Sequence, residues 1–284
     1  LLGEMTKQER AAYTMTTANT AAPVPTEIMN RIVDLVQSST AIYSDATKSG
    51  MTSGFAIPRI KSIKQGDAKE TAEGVANDDE QDTWDQLSLD GVEIKKHLVI
   101  TRKMTWQSIA AFETWIAEHL ARRIGNAKDK RCITQLDSTT YGIDTDNVLT
   151  DQAYDDAAIR GIMAKVKEEG VRCVYANSNT VWNGLFGIQD ANKRPIFLPD
   201  QTGDPKIAGY IYGAAVKIDE NVADNTAYVG VPSSLLANNF EELYISNQQE
   251  AKTFNTVVGG YSLFDAGLEN PKAFVKVTFK TTGE

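Results

Sequence analysis

Two histidines set the limits of acid–base chemistry in this chain. His97 lies in a strand-like stretch and His119 in a helix-like one. Each reads as a surface or packing histidine rather than a base. No HExxH pattern or Cys/His cluster is present, which argues against a transition-metal site. The strand-to-helix nucleophile elbow G-x-S-x-G, the phosphate loop GxxxxGK[ST] and the dinucleotide fingerprint GxGxxG are all missing. Gly259-Gly260 is turn or bulge material. Cys132 and Cys173 fit no CxxC or zinc spacing and read as reduced thiols. The densest acids, Asp78-Asp79-Glu80, lie in a polar, loop-like stretch and miss the calcium-loop spacing D-x-[DN]-x-[DN]-G. Counting acids alone leaves a paired-carboxylate glycosidase open. The residue types nonetheless point away from an enzyme, with no catalytic residue, cofactor or metal expected.

Charge carries more information than any motif. The chain has a net charge of −9, against the basic excess of a dedicated nucleic-acid binder. Residues 64–90 hold nine acids (Asp67, Glu70, Glu73, Asp78, Asp79, Glu80, Asp82, Asp85, Asp90) against Lys64 and Lys69. Residues 102–131 hold seven bases (Arg102, Lys103, Arg122, Arg123, Lys128, Lys130, Arg131) against Glu113, Glu118 and Asp129. Solvated faces are the plain reading of this asymmetry. Self-association is the sharper one, with an acidic arm of one copy on a basic face of another.

The elements that must carry these charges are legible from periodicity. At 284 residues the chain needs no disulfide or metal staple, and one large domain or two is allowed. No apolar run reaches the roughly 20 residues of a membrane span. Leu1-Leu2-Gly3-Glu4 has no basic n-region, so no retained secretory signal is expected. Residues 1–24 read as an extended Ala/Thr arm. Thr26 is a helix cap ahead of Ile28, Ile32, Leu35 and Val36. Residues 41–60 look like strand, and 55–63 and 86–101 like the two legs of one long hairpin. Over 103–136, Ile109, Phe112, Ile116, Leu120, Ile124 and Ala127 recur at helical spacing. That rod would be roughly 50 Å long at 1.5 Å per residue. A helix over 152–169 stopped by Gly170 follows, then a strand over 171–175 and a helix capped by Asn179 or Thr180. Strands are expected at 207–218 and 226–231, and a turn or short helix at 232–234. In the tail, Ala273, Val275, Val277 and Phe279 alternate with Phe274, Lys276, Thr278 and Lys280 as in a half-buried strand.

Three stretches carry a resemblance. They are Val24-Pro25-Thr26-Glu27 before Ile28, Ile32 and Leu35; Asn177-Ser178-Asn179-Thr180-Val181-Trp182 through Leu185 to Asp190 and Asn192-Lys193-Arg194; and Pro271-Lys272-Ala273-Phe274. In this order, over residues 22–280, the chain resembles the tailed-bacteriophage major capsid protein family, whose Hong Kong ninety-seven-type fold is shared with encapsulin shells. Lys193 stands where the family has Gly. The resemblance implies an α+β fold: an N-terminal arm with its short helix (1–40), an extended loop (55–101), and an axial α/β domain (141–240). A peripheral domain (41–54, 102–140 and 241–284) contains the spine helix.

It also implies a non-enzymatic shell protein forming pentamers and hexamers around double-stranded DNA. A portal, a scaffold or maturation protease, and decoration proteins are the implied partners, with no membrane. The implied location is the virion, assembled in the host cytoplasm. A start at Leu1 fits either a trimmed sequence or a precursor cut by such a protease. An encapsulin-type compartment and a soluble α/β enzyme are the competing readings. Some members cross-link a loop Lys to an Asn with a nearby Glu. Lys61, Lys64 and Lys69 lie in the matching loop and Asn255 near the matching Asn, but Ser262 holds the Glu position, so no cross-link is expected. The expected contact between subunits sets Asp78, Asp79, Glu80, Asp82 and Trp84 of one copy against Arg122, Arg123, Lys128, Lys130 and Arg131 of another. Alternatively, the helix bases face the packaged DNA.

Overall fold

The computed structural model describes residues 40–52, 55–62, 73, 83–101, 109–200 and 207–280. The expected arm, the helix after Thr26 and the tip of the hairpin lie outside the described residues. The first element, α1 (Ala41–Asp45), is one helical turn where the sequence suggests strand. The reason is not local, because Thr40 gives no side-chain cap. Instead the backbone N–H groups of Ile42 and Tyr43 donate to the carboxyl groups of Asp219 (3.3 Å) and Asp129 (3.0 Å). These satisfy amides that every helix start leaves free.

After β1 (Thr47–Ser49) come β2 (Phe55–Ser62), β3 (Thr83–Leu89) and β4 (Val92–Ile100). The hairpin differs from expectation. Its second leg is β3, which pairs with β2 from Phe55↔Leu89 to Ser62↔Thr83. β4 instead runs antiparallel to β12 (Thr256–Leu268). Its alternation explains this: Leu98 and Ile100 pack with Leu120, Ile116 and Val258, so β4 belongs to the body. The expected second leg, 86–101, is thus divided between pairing with β2 and pairing with β12.

The long helix, α2, spans Ile109–Leu136, about 42 Å at 1.5 Å per residue. The expected first residues of this helix, 103–108, lie outside the described residues. Leu120, Ala121, Ile124, Cys132 and Leu136 form its buried stripe. Lys128, Asp129 and Gln135 are buried on the same stripe. α2 lies close on the sheet at Gly260, where a Cβ would sit 2.8 Å from Ile124 Cδ1.

The chain continues through β5 (Val148–Gln152), α3 (Asp156–Lys165) and β6 (Cys173–Ala176). α3 starts later than expected because the Asp155 side chain caps it, accepting from Ala158 N–H at 2.7 Å. It ends at Lys165, before Gly170. The irregular helical segment 180–187 is capped from Asn177, whose Oδ1 accepts the Thr180 N–H at 2.8 Å. Then follow β7 (Phe197–Pro199), β8 (Ile207–Ile211), β9 (Ala214–Ile218), β10 (Thr226–Gly230), β11 (Leu235–Gln249), β12 and β13 (Phe274–Phe279).

Two sheets form the body, in the orders β1-β11-β12-β4 and β5-β13-β10-β6-β9-β8-β7. In the larger sheet β6 and β10 are buried at every residue, as strands covered on both faces must be. Val174, Val229, Val275 and Val277 face Ile159, Ile162 and Leu185. Cys173, Tyr175, Tyr228 and Phe274 face the other way, into a core shared by α1, α2 and the smaller sheet. β13 lies between β5 and β10, within the larger sheet. Val275, Val277 and Phe279 are buried while Lys276 and Thr278 are only partly so, as the alternation predicts; Phe274 departs from it by being buried.

At the centre of the large sheet, a Cβ on Gly230 would stand 2.5 Å from the Ala273 carbonyl oxygen. Backbone cannot yield there as a side-chain end could. Gly230→Ala should destabilise the subunit by about 1–3 kcal/mol. A drop in the thermal or urea unfolding midpoint checks this; an unchanged midpoint contradicts the packing described.

Candidate functional site

The features that could serve assembly begin at the root of the β2–β3 ribbon. Leu87 and Leu89, alternate residues of β3, are fully buried against Leu236 and Phe240. Gln86 is exposed. Among the described residues the ribbon pairs only with itself, as a two-stranded sheet. Past Leu89 the backbone turns at Asp90-Gly91, and the Asp90 N–H donates to Asp265 Oδ2 at 3.2 Å. Asp265 is buried on β12 and receives Arg131 Nε and Gln135 Nε2, both at 2.9 Å on Oδ1. One carboxylate therefore joins α2, the smaller sheet and the root of the ribbon.

The five expected basic contacts divide. Arg122, Arg123 and Lys130 are exposed on α2. Lys128 is not: four residues after Ile124, it falls on the buried stripe. Its Nζ donates to Asn239 Oδ1 at 2.7 Å and lies 5.4 Å and 5.6 Å from the ring centroids of Phe264 and Tyr43. Burial pushes this ammonium down to about 8 despite the nearby Glu242. Arg131 is half-buried and held by Asp265. Lys128 and Arg131, expected to meet another subunit, have their polar groups engaged within the chain. Asp78, Asp79, Glu80 and Asp82 lie outside the described residues. Trp84 stands on β3 opposite Ile60.

A second buried polar group lies at α1. Asp129 Oδ2 accepts from Asn221 Nδ2 at 2.9 Å, while its Oδ1 takes the Tyr43 N–H. Burial, and then the adjacent Asp219 charge, push the Asp129 carboxyl up to about 8. The far end of α1 is held by Asp45, which receives Lys217 Nζ at 2.7 Å and the Tyr175 hydroxyl at 2.6 Å. Sequence reading missed Asp129, Asp219 and Asp265, because acids default to solvent. A signal existed for Asp129 alone: with Ala121, Cys132 and Leu136 it continues the apolar face of α2.

The residues weighed for chemistry do not converge. His97 is exposed on β4, and Cys132 and Cys173 are buried free thiols in different elements. Among the described residues no group of three or more His, Cys, Asp or Glu could hold a metal, and no helix is long and apolar enough to cross a membrane. Ser262, at the position of the cross-linking family's Glu, is buried and donates its hydroxyl to the Glu241 carbonyl at 3.0 Å.

Replacing Asp265 leaves the Gln135 amide and Arg131 unpartnered at the ribbon root. Asp265→Ala should cost about 2–3 kcal/mol. It should also speed hydrogen exchange at Asp90 more than at β10. Equal changes at both sites would show that Asp265 does not fix the root.

Comparison with known proteins agrees with this architecture. The model of the phage capsid family matches residues 20–279. No curated protein sequence matches the chain. Among solved structures, the capsid of the native GTA particle computed with C5 symmetry is similar at 14% identity and a TM-score of 0.66, over 86% of this chain and 91% of that one. A chain from Mycobacterium phage Adephagia is similar at 12% identity and a TM-score of 0.62, over 99% and 100%. The virus-like particle from Pyrococcus furiosus is similar at 10% identity and a TM-score of 0.57, over 89% and 98%. The α+β fold is that of Hong Kong ninety-seven-type capsid proteins, and the family match identifies a structural shell protein rather than an enzyme. The chain belongs to the phage capsid family, as a major capsid protein.

Proposed function

We propose that this capsid protein forms pentamers and hexamers that close into the icosahedral head of a tailed bacteriophage around double-stranded DNA, with the β2–β3 ribbon of each copy laid over its neighbour. The observation that carries this reading is the ribbon. It is rooted by Leu87 and Leu89 and, among the described residues, pairs with neither body sheet. A lone two-stranded hairpin is marginal in water, so a surface outside its own subunit must complete it. Ring contacts between identical copies supply such a surface by symmetry. α2 and the smaller sheet are then the peripheral part of the tile, and the larger sheet with α3 is the axial part. The short helix α1 is where the N-terminal arm meets both.

Arg122, Arg123 and Lys130 are the bases left open for a neighbour's acidic stretch 64–90. Rim pairs of this kind guide register more than they add affinity. The implied partners (portal, scaffold or maturation protease, and decoration proteins) and assembly in the host cytoplasm belong to the same reading. The second reading is a compartment holding an enzyme cargo, whose shell would share this fold. Protein rather than DNA inside purified particles separates the two.

Negative-stain microscopy tests the first reading. The wild-type chain should give rings or shells tens of nanometres wide. Reversing both Arg122 and Arg123 to Glu should leave the subunit folded but abolish shells. Intact shells that lose DNA would instead place these bases against the genome.

A further inference from the structure

The junction at α1 is built in an unusual way. Two carboxyl groups, Asp129 on α2 and Asp219 after β9, are 0% and 4% exposed. They take the first backbone amides of the buried turn, Tyr43 N–H on Asp129 and Ile42 N–H on Asp219. Asn221 bridges them, its backbone N–H on Asp219 Oδ1 at 3.0 Å and its side-chain amide on Asp129 Oδ2. Two ionised carboxylates bridged by one asparagine and out of water repel each other strongly, and among the described residues Asp129 forms no ion pair.

We propose that Asp129 and Asp219 hold one proton between them and that this shared proton fastens α1 to the body, so that its loss to solvent base frees α1. This inference does not depend on how the shell is built. Retention of the proton at neutral pH agrees with the upward push on Asp129 by burial and by Asp219. The sign follows. A carboxyl whose folded pKa lies above its unfolded one stabilises the docked state at low pH, and that stabilisation is lost as pH rises through about 8.

Other titratable groups surround the pair. From α2 come Lys128 and the Cys132 thiol, from β11 Glu242, from β12 Asp265, and from β1 Lys48, which lies 5.3 Å from the Tyr43 ring centroid. Asp45 and Lys217 pair at the far end of α1. Burial holds the Cys132 thiol well above its usual value, so it stays protonated. Lys128 titrates in the same window but with the opposite sign: its folded pKa is lowered, so its loss of charge favours the folded state as pH rises.

The test is hydrogen–deuterium exchange of the full chain from about pH 6.5 to 9.5, divided by the intrinsic rate at each pH. Protection of the peptide spanning 40–46 should fall at least about tenfold more than that of one spanning 226–230. In Asp129→Asn, where the amide keeps a donor toward Asp219, the two peptides should track each other. In Lys128→Met the differential loss should persist. Wild-type peptides that track each other, a loss retained in Asp129→Asn, or a loss abolished in Lys128→Met each overturn the proposal. If Asp129→Asn fails to fold, the wild type and Lys128→Met still decide.

Discussion

The carboxylate of Asp265 is the point on which the geometry of this subunit turns. It sits buried on β12 and receives a guanidinium and an amide from the long helix α2, together with the backbone amide of Asp90 at the ribbon root. A charge removed from water is tolerated only when its lone pairs are used. Because the donors come from separate elements, using them fixes those elements relative to one another. The direction in which β2 and β3 leave the body follows from that contact and from Leu87 and Leu89 beside it.

The ribbon's need for a partner is a consequence of the same arrangement. The body's two largest cores lie one between α3 and the large sheet, the other among α1, α2 and both sheets. Leu87 and Leu89, at the root of the ribbon, pack on a smaller cluster with Leu236 and Phe240. A shell made of such tiles distributes its stability over contacts between copies, so folding and assembly are thermodynamically linked. Buried ion pairs are weak sources of stability but hold a geometry well. That suits a subunit whose function is to keep one shape in many symmetry-related positions.

Much of the scaffold was legible in the residues. The spacing of Ile116, Leu120 and Ile124 revealed α2, and the apolar run around Val174 revealed β6. The order of arm, hairpin, helix and mixed lobe led to the family. What failed had physical causes. α1 was read as strand because its capping groups lie far away in sequence, at positions 129 and 219. β4 was joined to the hairpin because alternation shows that one face is buried but not which neighbour buries it. Alternation likewise does not say which sheet takes β13, whose Phe274 and Val275 point to opposite faces of the larger one. Lys128 looked like surface charge because a lysine's long stem can cover aromatic rings while its ammonium finds an internal acceptor. The three exposed bases of α2 were legible as candidates, but Lys128 and Arg131 could not be separated from them by composition.

An electron cryomicroscopy reconstruction of the assembled particle addresses the central claim most directly, because it shows what covers the β2–β3 ribbon. The account predicts density for Phe55–Ser62 and Thr83–Leu89 resting on an adjacent subunit, with the Asp265 contacts intact at its root. A ribbon folded onto its own α2 and small sheet, leaving no contact with a second copy, would contradict it.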